Sequence, residues 1–165
     1  MLIRAGVLSD THLIRPDNRF KKQIEQCFHA CDVIIHAGDL TDPSVLSAFR
    51  GKTIYAVHGN MCDRELQSRY PNQLLFTLNR FTIGLTHGAG LGHDIENALW
   101  NLFPEADCMI YGHTHKPACH YHGKVLFLNP GSFQATSRYG APGTFAILEA
   151  GDELRASLFQ IPQIP

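Results

Sequence analysis

The chain has 165 residues, of which 44% are hydrophobic and 18% charged, and its formal net charge is -1. This is the length of one domain with enough apolar material for a core, and the near-neutral balance leaves no electrostatic footprint for nucleic acid or an anionic membrane. No apolar run is long enough to span a bilayer, the opening "MLIRAGVLSD" lacks a secretory leader's apolar core and cleavage site, and the five cysteines contain no CxxC pair. Reduced thiols, a cytoplasmic location and no membrane partner are therefore expected.

Leu2–Leu8 is apolar except for Arg4 and reads as a buried first strand. Phe20, Ile24, Cys27, Phe28 and Cys31 recur at helical spacing and predict a helix over Asn18–Cys31. Val33–Ala37 is a second strand. Asp42-Pro43 marks a helix start, with Asp42 as cap and Pro43 at the first helical position; Val45, Leu46 and Phe49 face the core. Ile54–Val57 is a third strand. Leu74–Leu78 and Phe81–Leu85 form two more, joined by a turn at Asn79-Arg80. Ile95, Ala98, Leu99 and Leu102 form a helix face that ends before Pro104. Cys108–Tyr111 is another buried strand. After it the pattern changes: Val125–Leu128, Thr144–Leu148 and Leu154–Phe159 read as strands with no helix between them, and Gly151-Asp152 turns the last pair. Strand-helix alternation followed by strands alone predicts an α/β core with an added antiparallel element, arranged as two packed sheets with helices outside.

Chemistry gathers where the strands end. "GVLS" runs into Asp10-Thr11-His12, "VIIHA" into Gly38-Asp39, "IYAVH" into Gly59-Asn60-Met61-Cys62-Asp63, "IGLT" into His87-Gly88, and "MIY" into Gly112-His113-Thr114-His115. In open α/β sheets, ligands bind beyond the carboxyl ends of the strands, so parallel neighbours would bring all five groups to one rim. Any one of these histidines alone is most often a core or turn residue, and Asp39 or Asn60 alone is an ordinary turn residue. Together they make two carboxylates, one amide and four imidazoles. That donor set suits zinc, manganese, iron or nickel and argues against a structural zinc site. Seven donors are too many for one ion and about right for two with a bridging carboxylate, the arrangement of phosphatases and nucleases. Two divalent cations, two carboxylates and a hydroxide leave a net positive charge that favours a phosphate ester.

The ordered set "DTH", "GD", "GNMCD", "THG" and "GHTH", with "NPGS" at Asn129–Ser132, resembles the calcineurin-like metallophosphoesterases, and among them the small YfcE-like phosphodiesterase branch. The resemblance implies one metallophosphoesterase domain over residues 1–165. Its fold would be a four-layer αββα sandwich with two central mixed β-sheets flanked by helices. It implies that Asp10, His12 and His115 hold one metal, that Asn60, His87 and His113 hold the other, and that Asp39 bridges them. Asp39, Asn60 and His113 are taken as catalytic as well as metal-binding. The implied cofactors are two divalent ions, manganese foremost, with iron, zinc, nickel or cobalt as other occupants. A hydroxide bridging the two metals would attack phosphorus in line with the leaving alkoxide. The expected partner is a small phosphate ester; nucleic acid is not expected, and relatives often form homodimers or homotetramers.

Two positions depart from the pattern. Many members carry His directly after the Asn of the third motif, where it is thought to protonate the leaving oxygen; here Met61 cannot. His58 and a shifted Cys62 are candidate substitutes, and Asp63 is a candidate for orienting Asn60. Where this branch often reads "HGH", Ala89 replaces the second His, with His93 as a candidate stand-in. Asn129 is a site candidate or a loop support, and Gly131 would allow close backbone approach. Arg15, Arg19, Arg64 and Arg138 could contact substrate, and the loops Leu13–Arg19 and Met61–Pro71 could set specificity. The expected activity is hydrolysis of phosphodiesters. The alternatives are a phosphomonoesterase of the same family and a catalytically silent scaffold resembling the retromer subunit of eukaryotes.

Overall fold

A computed structural model describes residues 1–12, 15–134 and 142–164. The described elements, in chain order, are β1 (Ile3–Leu8), α1 (Asn18–Phe28), β2 (Val33–His36), a short 3-10 helix (Pro43–Phe49), β3 (Thr53–Ala56), α2 (Arg64–Arg69), β4 (Gln73–Leu78), β5 (Phe81–Thr86), α3 (Ile95–Leu102), β6 (Cys108–Ile110), β7 (Ala118–His122), β8 (Val125–Asn129), β9 (Thr144–Ala150) and β10 (Leu154–Gln160).

The strands form two five-stranded mixed sheets, in the order β10-β9-β1-β2-β3 and β4-β5-β6-β8-β7. In the first, β1, β2 and β3 run parallel, while β9 is antiparallel to β1 and β10 to β9. In the second, β5, β6 and β8 run parallel and hairpin partners close both edges. The inner faces meet over Val7, Ile35, Leu148, Ile83, Ile110 and Leu128. On the outer face of the first sheet, Phe20, Ile24 and Phe28 of α1 pack with Leu46, Phe49 and Leu66. On the outer face of the second, α3 packs Ile95 and Leu99 against Met109 and Phe127. Helix, sheet, sheet and helix are the four layers expected.

Aspartate caps start the first two helices, and the one at Asp42 was expected. Asp17 accepts from Phe20 N–H at 2.7 Å and Asp42 accepts from Ser44 N–H at 2.8 Å, caps worth about 1 kcal/mol each. The segment after Asp42-Pro43 is a 3-10 helix, not an α-helix, and α1 stops at Phe28, short of the predicted Cys31. Val125–Asn129 is a parallel strand of the second sheet, whereas β9 and β10 are the antiparallel addition, and they extend the first sheet.

Candidate metal centre

Five loops meet at one end of the sandwich, three from the ends of β1, β2 and β3 and two from the ends of β5 and β6. The predicted rim is thus shared between two sheets. Contact between the loops is very close. A Cβ on Gly59 would lie 2.0 Å from Asp39 Oδ1, and one on Gly112 would lie 2.1 Å from Ser9 Oγ and 3.0 Å from Asp10 Oδ2. Each of these glycines precedes a predicted ligand, and its missing side chain is what lets the neighbouring carboxylate loop close against it.

The backbone is strained at the same place. Asp10, His12, Asp39, His113 and His115 have φ of 55°, 45°, 56°, 66° and 59°, a left-handed conformation that costs an L-residue about 1–2 kcal/mol. Only two other described non-glycine residues share it, Thr41 and Asn79. Strain concentrated on candidate ligands marks a functional site. Cross-loop bonds hold it in place: Asp10 N–H donates to Gly38 O at 2.9 Å, His12 N–H to Asp39 O at 3.1 Å, Gly112 N–H to His87 O at 3.0 Å, and His113 N–H to Asp10 Oδ2 at 3.2 Å.

The carboxylates form the floor. Asp10 is fully buried and Asp39 and His87 nearly so, while His12 and His115 are half-buried and Asn60 and His113 open to solvent. Ser9 Oγ donates to Asp10 Oδ2 at 2.5 Å; with His113 N–H this occupies one carboxylate oxygen. The other, Oδ1, faces three imidazoles: His115 Nε2 at 3.1 Å, His12 Nε2 at 3.7 Å and His87 Nε2 at 3.9 Å. His87 Nδ1 lies 2.7 Å from Ala37 O, an acceptor only, so Nδ1 carries the proton and Nε2 is left to ligate. That Nε2 lies 3.2 Å from Asp39 Oδ2 and 3.1 Å from Asn60 Oδ1.

Burial alone would raise the Asp10 carboxyl, but hydrogen bonds from His115 and His12, the charge of His87 and the Ser9 hydroxyl outweigh it and hold the group well below the carboxylate range. Asp39 is lowered in the same way, burial being outweighed by His87 and by Met61 N–H, which donates to Asp39 Oδ1 at 2.8 Å. Burial would lower His87, yet the two carboxylates raise it; His115 is raised by its bond to Asp10. The floor is therefore anionic at neutral pH and has drawn imidazoles to it.

The donor atoms of Asp10, His12 and His115 lie within 4.8 Å of one another, and so do those of Asp10, Asp39 and His87. Asn60 extends the second group through His87. Asp10 is common to both groups, and Asp39 belongs to the second. His113 belongs to neither; its ring meets that of His87 edge-on, with centroids 5.2 Å apart. A set of carboxylate, amide oxygen and imidazole fits divalent manganese, zinc, iron or nickel.

The structure sorts the secondary candidates. Cys62 is buried in the outer core and accepts from Gly59 N–H at 3.2 Å, so its sulfur braces the turn. Asp63 caps α2 through Leu66 N–H at 2.9 Å; no described contact joins it to Asn60. Asn129 is fully buried and holds backbone: its Nδ2 donates to Gly112 O and Thr114 Oγ1, both at 3.0 Å, and its Oδ1 accepts from Gly131 N–H at 2.9 Å. Gly131 does make a close approach, but to Thr144 and Pro117. His93 is exposed with no described partner near the site. Arg15, Arg19 and Arg64 make no described contact with the seven residues; Arg138 and residues 13 and 14 lie outside the described set. Ser9 is the site residue missed from sequence: nothing in "LSD" distinguishes its hydroxyl from an ordinary strand-end serine.

Residues 3–153 match the model of the calcineurin-like phosphoesterase superfamily domain, and the chain belongs to that family. It is 32% identical over 158 residues to a probable metallophosphoesterase of Methanothermobacter thermautotrophicus, covering 94% of this chain and 91% of that one. It is 32% identical over 104 residues to the phosphodiesterase YfcE of Escherichia coli, covering 58% of this chain and 52% of that one. Its fold matches wild-type Vps29 of Entamoeba histolytica complexed with zinc at a TM-score of 0.73, with 20% identity and coverage of 96% and 99%.

Proposed function

We propose that this chain is a dinuclear metal-dependent phosphodiesterase. Asp10, His12 and His115 would hold one cation, and Asn60, His87 and His113 the other, with Asp39 between them. The observation that supports this reading is that Asp10, His12 and His115 form one donor group and that Asp39 and His87 form a second beside it, around the same buried Asp10. Bound there, two divalent cations would acidify a water and draw charge from the phosphoryl oxygens.

The protein's own groups prepare that site. The lowered carboxyls of Asp10 and Asp39 are ionised and ready to ligate. His87 is fixed in the tautomer that aims Nε2 at Asp39 and Asn60. His113 and Asn60, at the exposed rim, are where an incoming phosphate would meet the centre. Met61 is 59% exposed and contributes only its backbone N–H to Asp39. Its thioether has no proton for a departing alkoxide, so esters of acidic alcohols should turn over fastest.

The phosphomonoesterase and the silent scaffold remain the rival readings. The scaffold is weighed down by the presence of all seven candidate donor residues in the sequence and by left-handed backbone at five of them. The test is hydrolysis of bis-p-nitrophenyl and mono-p-nitrophenyl phosphate with added manganese. The diester should be the better substrate. Faster monoester turnover would reassign the reaction, and two bound metals without hydrolysis of either would favour the scaffold.

A further inference from the structure

A cavity of about 190 Å³ opens beside the Asn60–His87 flank of the centre. Its walls are His58, Gly59, Asn60, Gln67, Asn72, His87 and Ala89. Among the described residues, no lysine, arginine, aspartate or glutamate lines it. Three polar groups reach it from outside the proposed ligand set. Gln67 Nε2 donates to Cys62 O at 2.8 Å, which anchors that side chain and leaves its amide oxygen without a described partner. The Asn72 side-chain amide has no described partner at all, while its carbonyl is fixed by Thr86 Oγ1 at 3.2 Å. His58 is pinned by its N–H donating to Pro71 O at 3.0 Å, and only its Nδ1 has a contact, a long one of 3.4 Å to Gly59 O. Ala89 adds only a methyl group to the wall, which keeps the space open.

We infer that this cavity is a subsite for a small, uncharged, hydroxyl-bearing group esterified to the phosphate. Size and chemistry set the class. At about 30 Å³ per water in the liquid, the space holds about six waters. That accommodates a glycerol-sized or sugar-sized group. Away from the Asn60–His87 flank that would hold a cation, a second phosphate or a carboxylate would meet no lysine or arginine on these walls. A purely apolar group would forgo hydrogen bonds to the exposed amides of Gln67 and Asn72. The inference rests on the metal centre of the proposed function, which must hold the phosphoryl end, and not on turnover.

The test uses phosphonates, whose C–P bond an esterase does not cleave, titrated calorimetrically into the manganese-loaded protein. The probes are propylphosphonate, 2,3-dihydroxypropylphosphonate and 2-carboxyethylphosphonate. The dihydroxypropyl compound should bind about tenfold more tightly than the propyl compound, as two added neutral hydrogen bonds imply, and the carboxyethyl compound no better than the propyl one. A Gln67→Ala/Asn72→Ala double variant should erase the preference. Equal affinities in the unaltered protein, or a preference that survives in the double variant, would overturn the inference. The hydrolysis assay above is read separately: absent turnover with the dihydroxypropyl preference intact would sink the phosphodiesterase reading and leave the subsite standing.

Discussion

Replacing Asn129 with alanine tests how the "GHTH" loop is held. The amide of Asn129 sits fully buried where β8 ends and bonds three points of backbone and side chain. Truncation leaves Gly131 N–H buried without a partner. Gly112 O keeps the bond from Thr114 N–H at 2.7 Å, and Thr114 Oγ1 keeps the one from Lys116 N–H at 3.2 Å. One orphaned buried donor costs about 1–3 kcal/mol and the small void somewhat more, so the loss should be about 2–4 kcal/mol. For a chain of this size that lowers Tm by about 5–15 °C. The lost anchors are those of a loop whose His113 and His115 hold left-handed backbones. Manganese affinity should therefore fall about 10–100-fold, the usual effect of removing a group that orients ligands. Thermal denaturation of metal-free protein and competitive metal titration measure the two effects. Unchanged metal affinity despite a lowered Tm would refute the positioning role.

His113→Gly should separate stability from binding: relief of left-handed strain at an exposed residue raises metal-free stability by up to about 1 kcal/mol, while affinity for the second cation drops; a lower metal-free Tm would contradict the strain. Asp39→Asn and His113→Ala should each abolish diester hydrolysis and leave the far-ultraviolet circular dichroism spectrum unchanged, and retained turnover in Asp39→Asn would remove that carboxylate from the chemistry. His36 accepts from Gly38 N–H at Nδ1 and contacts Thr11 Oγ1 through Nε2, and burial pushes it from 6.5 down to about 4. The unfolded chain takes up that proton first, so metal-free stability should fall by up to about 3 kcal/mol as pH drops from 6.5 to 4. His87 and His115, both raised, are charged in both states across that window, and Asp10 and Asp39, both lowered, lose their contribution only below 3.8. Denaturant titrations at several pH values check this, and a flat profile in that range would show His36 taking up its proton without loss of the fold.

The strand ends were readable because buried parallel strands are short apolar runs, and Asp, Asn or His after such a run stands out. The same logic hid two elements. Arg64–Arg69 buries only Leu66 and shows no helical stripe, although Asp63 before it was a legible cap. Ala118–His122 is a half-exposed edge strand without alternating apolar residues. Periodicity also could not divide the strands between sheets, since that depends on pairing across the chain. So the five loops were legible as a group, while the central place of Asp10 was not. It follows from Ser9 and His113 occupying one oxygen and three imidazoles converging on the other. Asn129 was legible as a site candidate or a loop support, and its distances to Gly112, Thr114 and Gly131 show what it braces.

The two-cation centre is tested most directly by counting manganese bound per chain, by equilibrium dialysis and elemental analysis at saturation. Two ions per chain is the predicted result. One or none, under conditions where the protein is folded, would contradict it.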